Sequence, residues 1–231
     1  MDRDQLIDNL GTIARSGTRA FLDSLKQAEA RPELIGQFGV GFYSAFMVAD
    51  RVTVLSRAAG ESGAVRWTSD GLGAFTVEPG ERAARGTDVV LHLKEEEKEF
   101  LQPWKLRSVV KQFSDFIEHP IVMDAEAKGE DGSAATAEET LNSRKALWLR
   151  SKADVTTEEH HAFYRQISGD FDDPAKVIHY AAEGTLAFKV LLYIPKRRSF
   201  ELQFGEGKAG PRLYINRVQI MDACEQLLPA Y

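Results

Sequence analysis

Leu34-Ile35-Gly36-Gln37-Phe38-Gly39-Val40-Gly41-Phe42-Tyr43-Ser44 sets three glycines within six positions and follows them at once with aromatic residues. Glycine lacks a Cβ, so it takes positive φ and lets bare backbone N–H groups approach a ligand closely. A helix that starts just after such a stretch adds unpaired N–H donors and the positive end of its dipole. That combination binds anions, phosphate above all. The glycines alone fit equally well a tight turn that lets a loop enter a buried helix. Two common phosphate loops are excluded by context. Gly39-x-Gly41-x-x-Ser44 has the spacing of a dinucleotide fingerprint, but residues 27–33 before it are polar and include Pro32, where that fingerprint needs a buried strand. Gly207-Lys208 is followed by Ala209, so no Walker A loop is present either.

Composition narrows the class further. A chain of 231 residues, 43% hydrophobic and 28% charged, suits one large or two ordinary globular domains. A net charge of −6 argues against a surface built for nucleic acid. Cys224 is the sole cysteine, which excludes an internal disulfide or a cysteine zinc site and suits a reducing compartment. No run approaches the roughly 20 apolar residues of a membrane span. The start, Met1-Asp2-Arg3-Asp4-Gln5, leads into an amphipathic segment and does not read as a signal peptide. No nucleic acid and no membrane are therefore expected as partners.

Outward from the loop, Leu6, Ile7, Leu10 and Ile13 recur at helical spacing and predict a short helix over residues 3–10, broken at Gly11-Thr12. After a second break at Ser16-Gly17, Thr18 is placed to cap a helix through Phe21, Leu22 and Leu25. Two short helices between such joints read either as a movable cover for the loop or as an ordinary helical hairpin. Residues 42–48 are apolar enough for a buried helix. Strands follow at Val52-Thr53-Val54-Leu55, Arg66-Trp67-Thr68, Phe75-Thr76-Val77 and residues 87–93, with a turn at Asp70-Gly71-Leu72-Gly73. Short connections between them predict an antiparallel sheet. Residues 94–99 are a charge run, expected as a solvated loop. Leu106, Val109, Val110, Phe113 and Ile117 mark an amphipathic helix ended by His119-Pro120.

Residues 124–139 have no large apolar side chain beyond their small and charged ones and read as a flexible linker between domains. Thr156-x-x-Glu159 is a capping box for a helix carrying Phe163 and Ile167. Leu186, Phe188, Val190, Leu192 and Ile194 alternate along a strand, and Leu213, Ile215, Val218 and Ile220 supply more strand with a break near Asn216-Arg217. Asp222 is placed to cap a last helix. His160-His161, adjacent and far from any cysteine, read as solvated helix surface rather than a metal site. Lys196-Arg197-Arg198 reads as a solvated loop. Trp148, Phe200 and Phe204 are candidates for an apolar binding patch, with core packing the default for each.

Several of these stretches carry a resemblance. Residues 4–18, Asp-Gln-Leu-Ile-Asp-Asn-Leu-Gly-Thr-Ile-Ala-Arg-Ser-Gly-Thr, closely resemble the ATP-lid segment of the 90-kDa heat-shock chaperones, and residues 35–45 resemble their phosphate loop. Arg85-Gly86-Thr87 is similar to the strand that closes their adenine pocket. Ala146-Leu147-Trp148, Phe163-Tyr164, Glu183-Gly184, residues 192–195 and Arg217-Val218-Gln219-Ile220-Met221-Asp222 resemble their middle domain. The match covers nearly the whole chain, and the short linker is similar to that of bacterial members.

The resemblance implies an α+β fold of the α-β sandwich kind. A partial GHKL (Bergerat-type) ATP-binding domain over residues 1–122 would be followed by a linker, 123–142, and the first part of an α/β middle domain, 143–231. It implies an ATP-dependent, ATP-hydrolysing chaperone that acts on unfolded client proteins as a cytoplasmic homodimer, with ATP and Mg2+ as cofactors. The nucleotide-binding set it carries over is Asn9, Leu10, Arg15, Gly36, Gln37, Phe38, Gly39, Val40, Gly41, Phe42 and Thr87. Asn9 would contact phosphates and sugar, Arg15 (a Lys in the family) the phosphates by charge, the glycine loop the phosphates through N–H groups, and Thr87 the adenine. The family's general-base Glu, magnesium Asn and adenine-binding Asp have no match in these residues, and neither does the Arg that senses the γ-phosphate. Arg198-Ser199 also departs from the family's Ala-Pro. The chain is therefore expected to be an internal piece with no catalytic residue and no metal ligand of its own, inactive as an ATPase in isolation. Two other readings stay open: a GHKL clamp on DNA, of the mismatch-repair or topoisomerase kind, and a non-catalytic client-binding module.

Overall fold

The computed structural model describes residues 1–12, 40–128, 134–185, 187–197 and 210–227. The chain divides into two compact units, Met1–Leu106 and Arg107–Tyr231. Each combines short helices with antiparallel strands, which is the expected α+β arrangement.

In the first unit, α1 (Arg3–Leu10) begins at a capping box. The Asp2 carboxylate accepts the Gln5 N–H at 2.8 Å, and the Gln5 carboxamide oxygen accepts the Asp2 N–H at 3.1 Å. The helix stops at Gly11 as the spacing predicts. A Cβ at Gly11 would lie 2.4 Å from the Ile7 carbonyl and 2.8 Å from the Phe75 ring, so only glycine fits there. The predicted second helix and its Thr18 cap lie outside the described residues. The chain re-enters at Val40, makes a 3-10 turn over Gly41–Ser44 and continues as α2 (Ala45–Val48).

Four strands follow, β1 (Ala49–Arg57), β2 (Ala64–Ser69), β3 (Phe75–Gly80) and β4 (Gly86–Leu93). They form one antiparallel sheet in the order β3-β2-β1-β4. Alternation along β1 turns Val52, Val54 and Ser56 inward. Trp67 of β2 stands opposite Val54. Val52, Val54 and Trp67 with Leu6 and Ala49 form the core, flanked by Leu10, Phe42, Phe46 and Val77. The predicted turn between β2 and β3 is present. Gly71 and Gly73 take φ of 79° and 98°, and the Asp70 carboxylate accepts the Leu72 N–H at 2.9 Å.

Two expectations need correction here. Residues 42–48 are not a buried helix: no residue of either turn is buried, and Met47 is 74% exposed. The element is too short to be enclosed, since β1 starts at Ala49 and only one side faces the core. Residues 94–99 are not a loop but most of a 3-10 helix, Glu95–Leu101, on the surface, with Lys98 paired to Glu95. Its three consecutive glutamates occupy the first turn, where the helix dipole favours acids. The predicted amphipathic helix is α3 (Pro103–Val109), extended by a π turn over Val110–Ser114.

In the second unit, residues 124–139, read from sequence as a linker, fall within a hairpin of β5 (Val122–Lys128) and β6 (Ala134–Thr140). Small residues can pair through their backbones without a core, which composition alone does not register. The base of the hairpin is tied by Asn142, whose side chain accepts the Ile121 N–H at 2.8 Å and donates to the Ile117 and His119 carbonyls. Next comes α4 (Thr157–Ser168), capped as predicted: Thr156 Oγ1 accepts the Glu159 N–H at 3.2 Å, and the Glu159 carboxylate accepts the Thr156 N–H at 2.9 Å. Thr156→Ala is expected to lower the stability of this unit by about 1 kcal/mol, seen as a lower urea midpoint with unchanged slope.

The hairpin of β7 (Lys176–Ala182) and β8 (Phe188–Ile194) packs Leu191 and Tyr193 on the core. A third hairpin joins β9 (Leu213–Ile215) and β10 (Val218–Met221). Its turn residues Asn216 and Arg217 both take left-handed φ, 47° and 67°, the geometry of a two-residue hairpin loop. Phe116 sits at the centre of the core, its ring 4.7 Å from Trp148, 5.7 Å from Phe163 and 5.5 Å from Tyr214. Trp148 is thus a core-packing residue and not part of a surface patch; Phe200 and Phe204 lie outside the described residues. The Asp115 carboxylate, 5% exposed, accepts from Lys111, the Ser143 N–H and Gln166. Arg197 is exposed as expected, 3.5 Å from Asp172.

His160 is a further correction. It is 7% exposed rather than solvated, with Nδ1 3.0 Å from the Tyr193 hydroxyl and its ring edge-on to His179. The sequence reading placed both His160 and His161 on solvated helix surface, but the buried face of α4 passes through His160, Phe163 and Tyr164. Burial first, and then the neighbouring His179, hold His160 below the usual histidine range, while Glu159 opposes them and His161 and Lys152 add to them. Because the folded state binds this proton more weakly, its contribution is fully present above the unfolded value of about 6.5 and is lost as the pH falls through the folded one. The urea midpoint of the second unit is expected to drop between pH 7.5 and 5.5, and to drop less in His160→Gln.

Candidate functional site

The residues named from sequence are distributed over three elements of the first unit. Asn9 and Leu10 form the last turn of α1, both half-buried. Val40, Gly41 and Phe42 form the start of the helical turn before α2, with Phe42 packed on the core and Val40 and Gly41 exposed. Thr87 lies near the start of β4. Arg15, Gly36, Gln37, Phe38 and Gly39 lie outside the described residues.

The turn has properties a phosphate group could use. Its first hydrogen bond runs from the Tyr43 N–H to the Val40 carbonyl at 3.1 Å, so the turn itself does not employ the preceding amides of Gly41 and Phe42. A Cβ built on Gly41 would meet nothing within 4 Å. Space and donors therefore coincide there. Ser44 Oγ donates back to the Gly41 carbonyl at 2.6 Å and fixes the turn.

The structure brings the first and second of these elements together. The Tyr43 hydroxyl donates to the Leu10 carbonyl at 3.0 Å, and both Leu10 and Phe42 pack on the same core. Burial pushes the Tyr43 phenol up from its ordinary pKa, so it stays a donor across the neutral range. Thr87 is held separately. Its hydroxyl is 2.8 Å from Ser56 Oγ on the neighbouring strand, in the register that pairs Ser56 with Thr87. Ser56 itself is fully buried. Sequence reading missed Ser56. The signal was a hydroxyl at an inward position of the alternation that runs through Val52 and Val54.

The loop leading to Thr87 is fixed electrostatically. Arg82 grips Asp88 at 2.9 and 3.0 Å, and that hydrogen bond holds the Asp88 carboxyl below its usual range. Gly86 has φ 138°, a backbone conformation that residues with a side chain rarely adopt, so this position favours glycine. Among the described residues no group of three or more His, Cys, Asp or Glu converges on one point as a metal set would. No helix among them is long and apolar enough to cross a membrane.

The exposed helical turn, tied to α1 through Tyr43 and leading into the four-stranded antiparallel sheet, belongs to an α+β unit. Comparison with known proteins gives the lineage. Residues 128–231 match the family described as Hsp90 protein. The whole chain aligns with the chaperone protein HtpG of Geobacter sulfurreducens at 52% identity over 247 residues. It aligns at 51% with that of Bordetella pertussis and at 48% with that of Myxococcus xanthus. The chain belongs to the Hsp90 family, of the HtpG type. It spans 36–38% of the length of these relatives, although all of it is covered in each alignment.

Proposed function

We propose that this chain supplies the phosphate-binding part of a GHKL-type ATP site and the start of a client-handling middle domain to an ATP-dependent molecular chaperone. The supporting observation is identity near one half to HtpG chaperones over the full 231 residues. On this reading residues 1–122 are nucleotide domain, 143–231 are middle domain, and the segment between joins them. Asn9 and Leu10 at the end of α1, Arg15, and the run Gly36, Gln37, Phe38, Gly39, Val40, Gly41 and Phe42 face the phosphates of ATP with its Mg2+. Thr87 reaches the base. Backbone amides already oriented toward phosphate need little reorganisation, which is why a glycine loop suits the role. ATP favours one arrangement of the domain by binding it better, and so drives the cycle of client holding and release in a cytoplasmic homodimer.

No residue within these 231 corresponds to the family's general-base Glu, its adenine-binding Asp or its γ-phosphate Arg. Without a general base to activate the attacking water, and with binding weakened about 10- to 100-fold for each lost hydrogen bond to a charged group, a polypeptide limited to residues 1–231 is expected to turn over no ATP. Phosphate release by that polypeptide, and aggregation of a heat-denatured reporter enzyme with and without ATP for the whole gene product, test the reading. Turnover by the short polypeptide overturns the assignment of roles. Salt-sensitive DNA binding in place of client protection would favour a nucleic-acid clamp.

A further inference from the structure

Tyr43 is not among the residues that the ATP-site reading assigns to the nucleotide, yet its hydroxyl joins two elements that are. The Leu10 carbonyl belongs to the set at the end of α1 that no backbone N–H of the helix can reach. It accepts the Tyr43 hydroxyl at 3.0 Å across 33 positions of sequence. The neighbouring Ile7 carbonyl is taken by the Gly11 N–H at 2.8 Å. The end of α1 is thus capped by a side chain from the turn that follows the glycine loop.

A second set of contacts closes the same circuit from the other side. The Tyr43 ring lies edge-on to Phe42, 5.7 Å between centroids. Phe42 is edge-on to Trp67 at 5.6 Å, and Trp67 stacks on Phe75 at 5.9 Å. The Phe75 ring then fills the space where a Cβ of Gly11 would stand. The last turn of α1 is therefore held between a hydrogen bond from Tyr43 and an aromatic wall that Phe42 anchors. Neither Gly11 nor Phe42 can shift without disturbing the other.

We infer that Tyr43 is a positioning residue: its hydroxyl fixes the last turn of α1, with Asn9, at a set distance from the Val40–Gly41–Phe42 amides, so that both elements meet one phosphate chain. The inference rests on the ATP-site reading for the identity of the ligand. The tether itself rests only on the geometry of the first unit.

Tyr43→Phe removes the hydroxyl and keeps the ring, so the aromatic wall survives. In the whole gene product, amide hydrogen exchange of the last turn of α1 and of residues 41–45 is expected to speed up about tenfold. Affinity for inorganic tripolyphosphate and for ATP is expected to fall five- to tenfold, while adenosine affinity and the thermal midpoint without ligand stay close to the parent. A merely structural tyrosine would lower the midpoint and leave tripolyphosphate affinity unchanged, and that result overturns the proposal. So does unchanged exchange at α1. If the parent protein binds neither tripolyphosphate nor ATP, the nucleotide reading fails, and the exchange comparison still decides whether Tyr43 holds α1.

Discussion

Trp67→Ala is expected to destabilise the first unit by about 3–5 kcal/mol, the usual range for truncating a large buried aromatic. Trp67 is 1% exposed and is the largest fully buried side chain among the described residues. It touches two layers at once: the sheet, where it stands opposite Val54, and the turn before α2, through Phe42. Alanine would leave a cavity bordered by Leu6, Val52 and Val54, and β1 and β2 cannot move to fill it without breaking their register. A domain stabilised by only about 5–15 kcal/mol loses a large share of that margin. Far-UV circular dichroism against urea suits the measurement, because it does not depend on the removed fluorophore. A shift below about 1 kcal/mol would mean the site collapses around the smaller side chain, contrary to the packing described.

That residue also shows how the sequence could be read and where reading stopped. Arg66-Trp67-Thr68 reads as strand from its β-branched and aromatic character, and the glycine turn after it fixes the β2–β3 hairpin, so that part of the sheet follows from local pattern, whereas the pairing of β4 with β1 does not. The capping box of α4 was legible for the same reason, since Thr156 and Glu159 lie three residues apart, whereas the Asp2–Gln5 box of α1 was not read. Contacts between distant residues were not legible. Nothing in the spacing announces that Ser56 meets Thr87, that Tyr43 reaches Leu10, or that His160 turns inward toward Tyr193. The hairpin of β5 and β6 was missed for another reason. Its strands pair through backbone groups that every residue carries, and its side chains lack the apolar period that marks a strand. At the candidate site, the glycines predicted a phosphate turn or a plain turn with equal force. The open space at Gly41 weighs toward phosphate.

Gly41→Ala separates those two readings, and it is expected to weaken ATP binding about 10- to 100-fold while leaving the fold intact. A plain turn would demand glycine for its own geometry. Gly41 has neither demand: its φ is not among the positive ones, and a Cβ would meet nothing within 4 Å. Alanine at the start of a helical turn is also favoured over glycine, by up to about 1 kcal/mol in helix propensity. The unliganded protein should therefore keep its thermal midpoint or gain slightly. The cost appears only with ligand. A methyl group in front of the Gly41 and Phe42 amides holds a phosphate oxygen beyond hydrogen-bond range, and one such bond to a charged group is worth about 1.5–3 kcal/mol, hence the fold-change. Titration calorimetry with ATP, on the protein with whatever native sequence flanks these residues, gives the affinity, and a thermal melt without ligand gives the control. Equal affinity in parent and variant, with both folded, would place the phosphates elsewhere. The open space over Gly41 would then be incidental to a turn that only delivers the chain into α2.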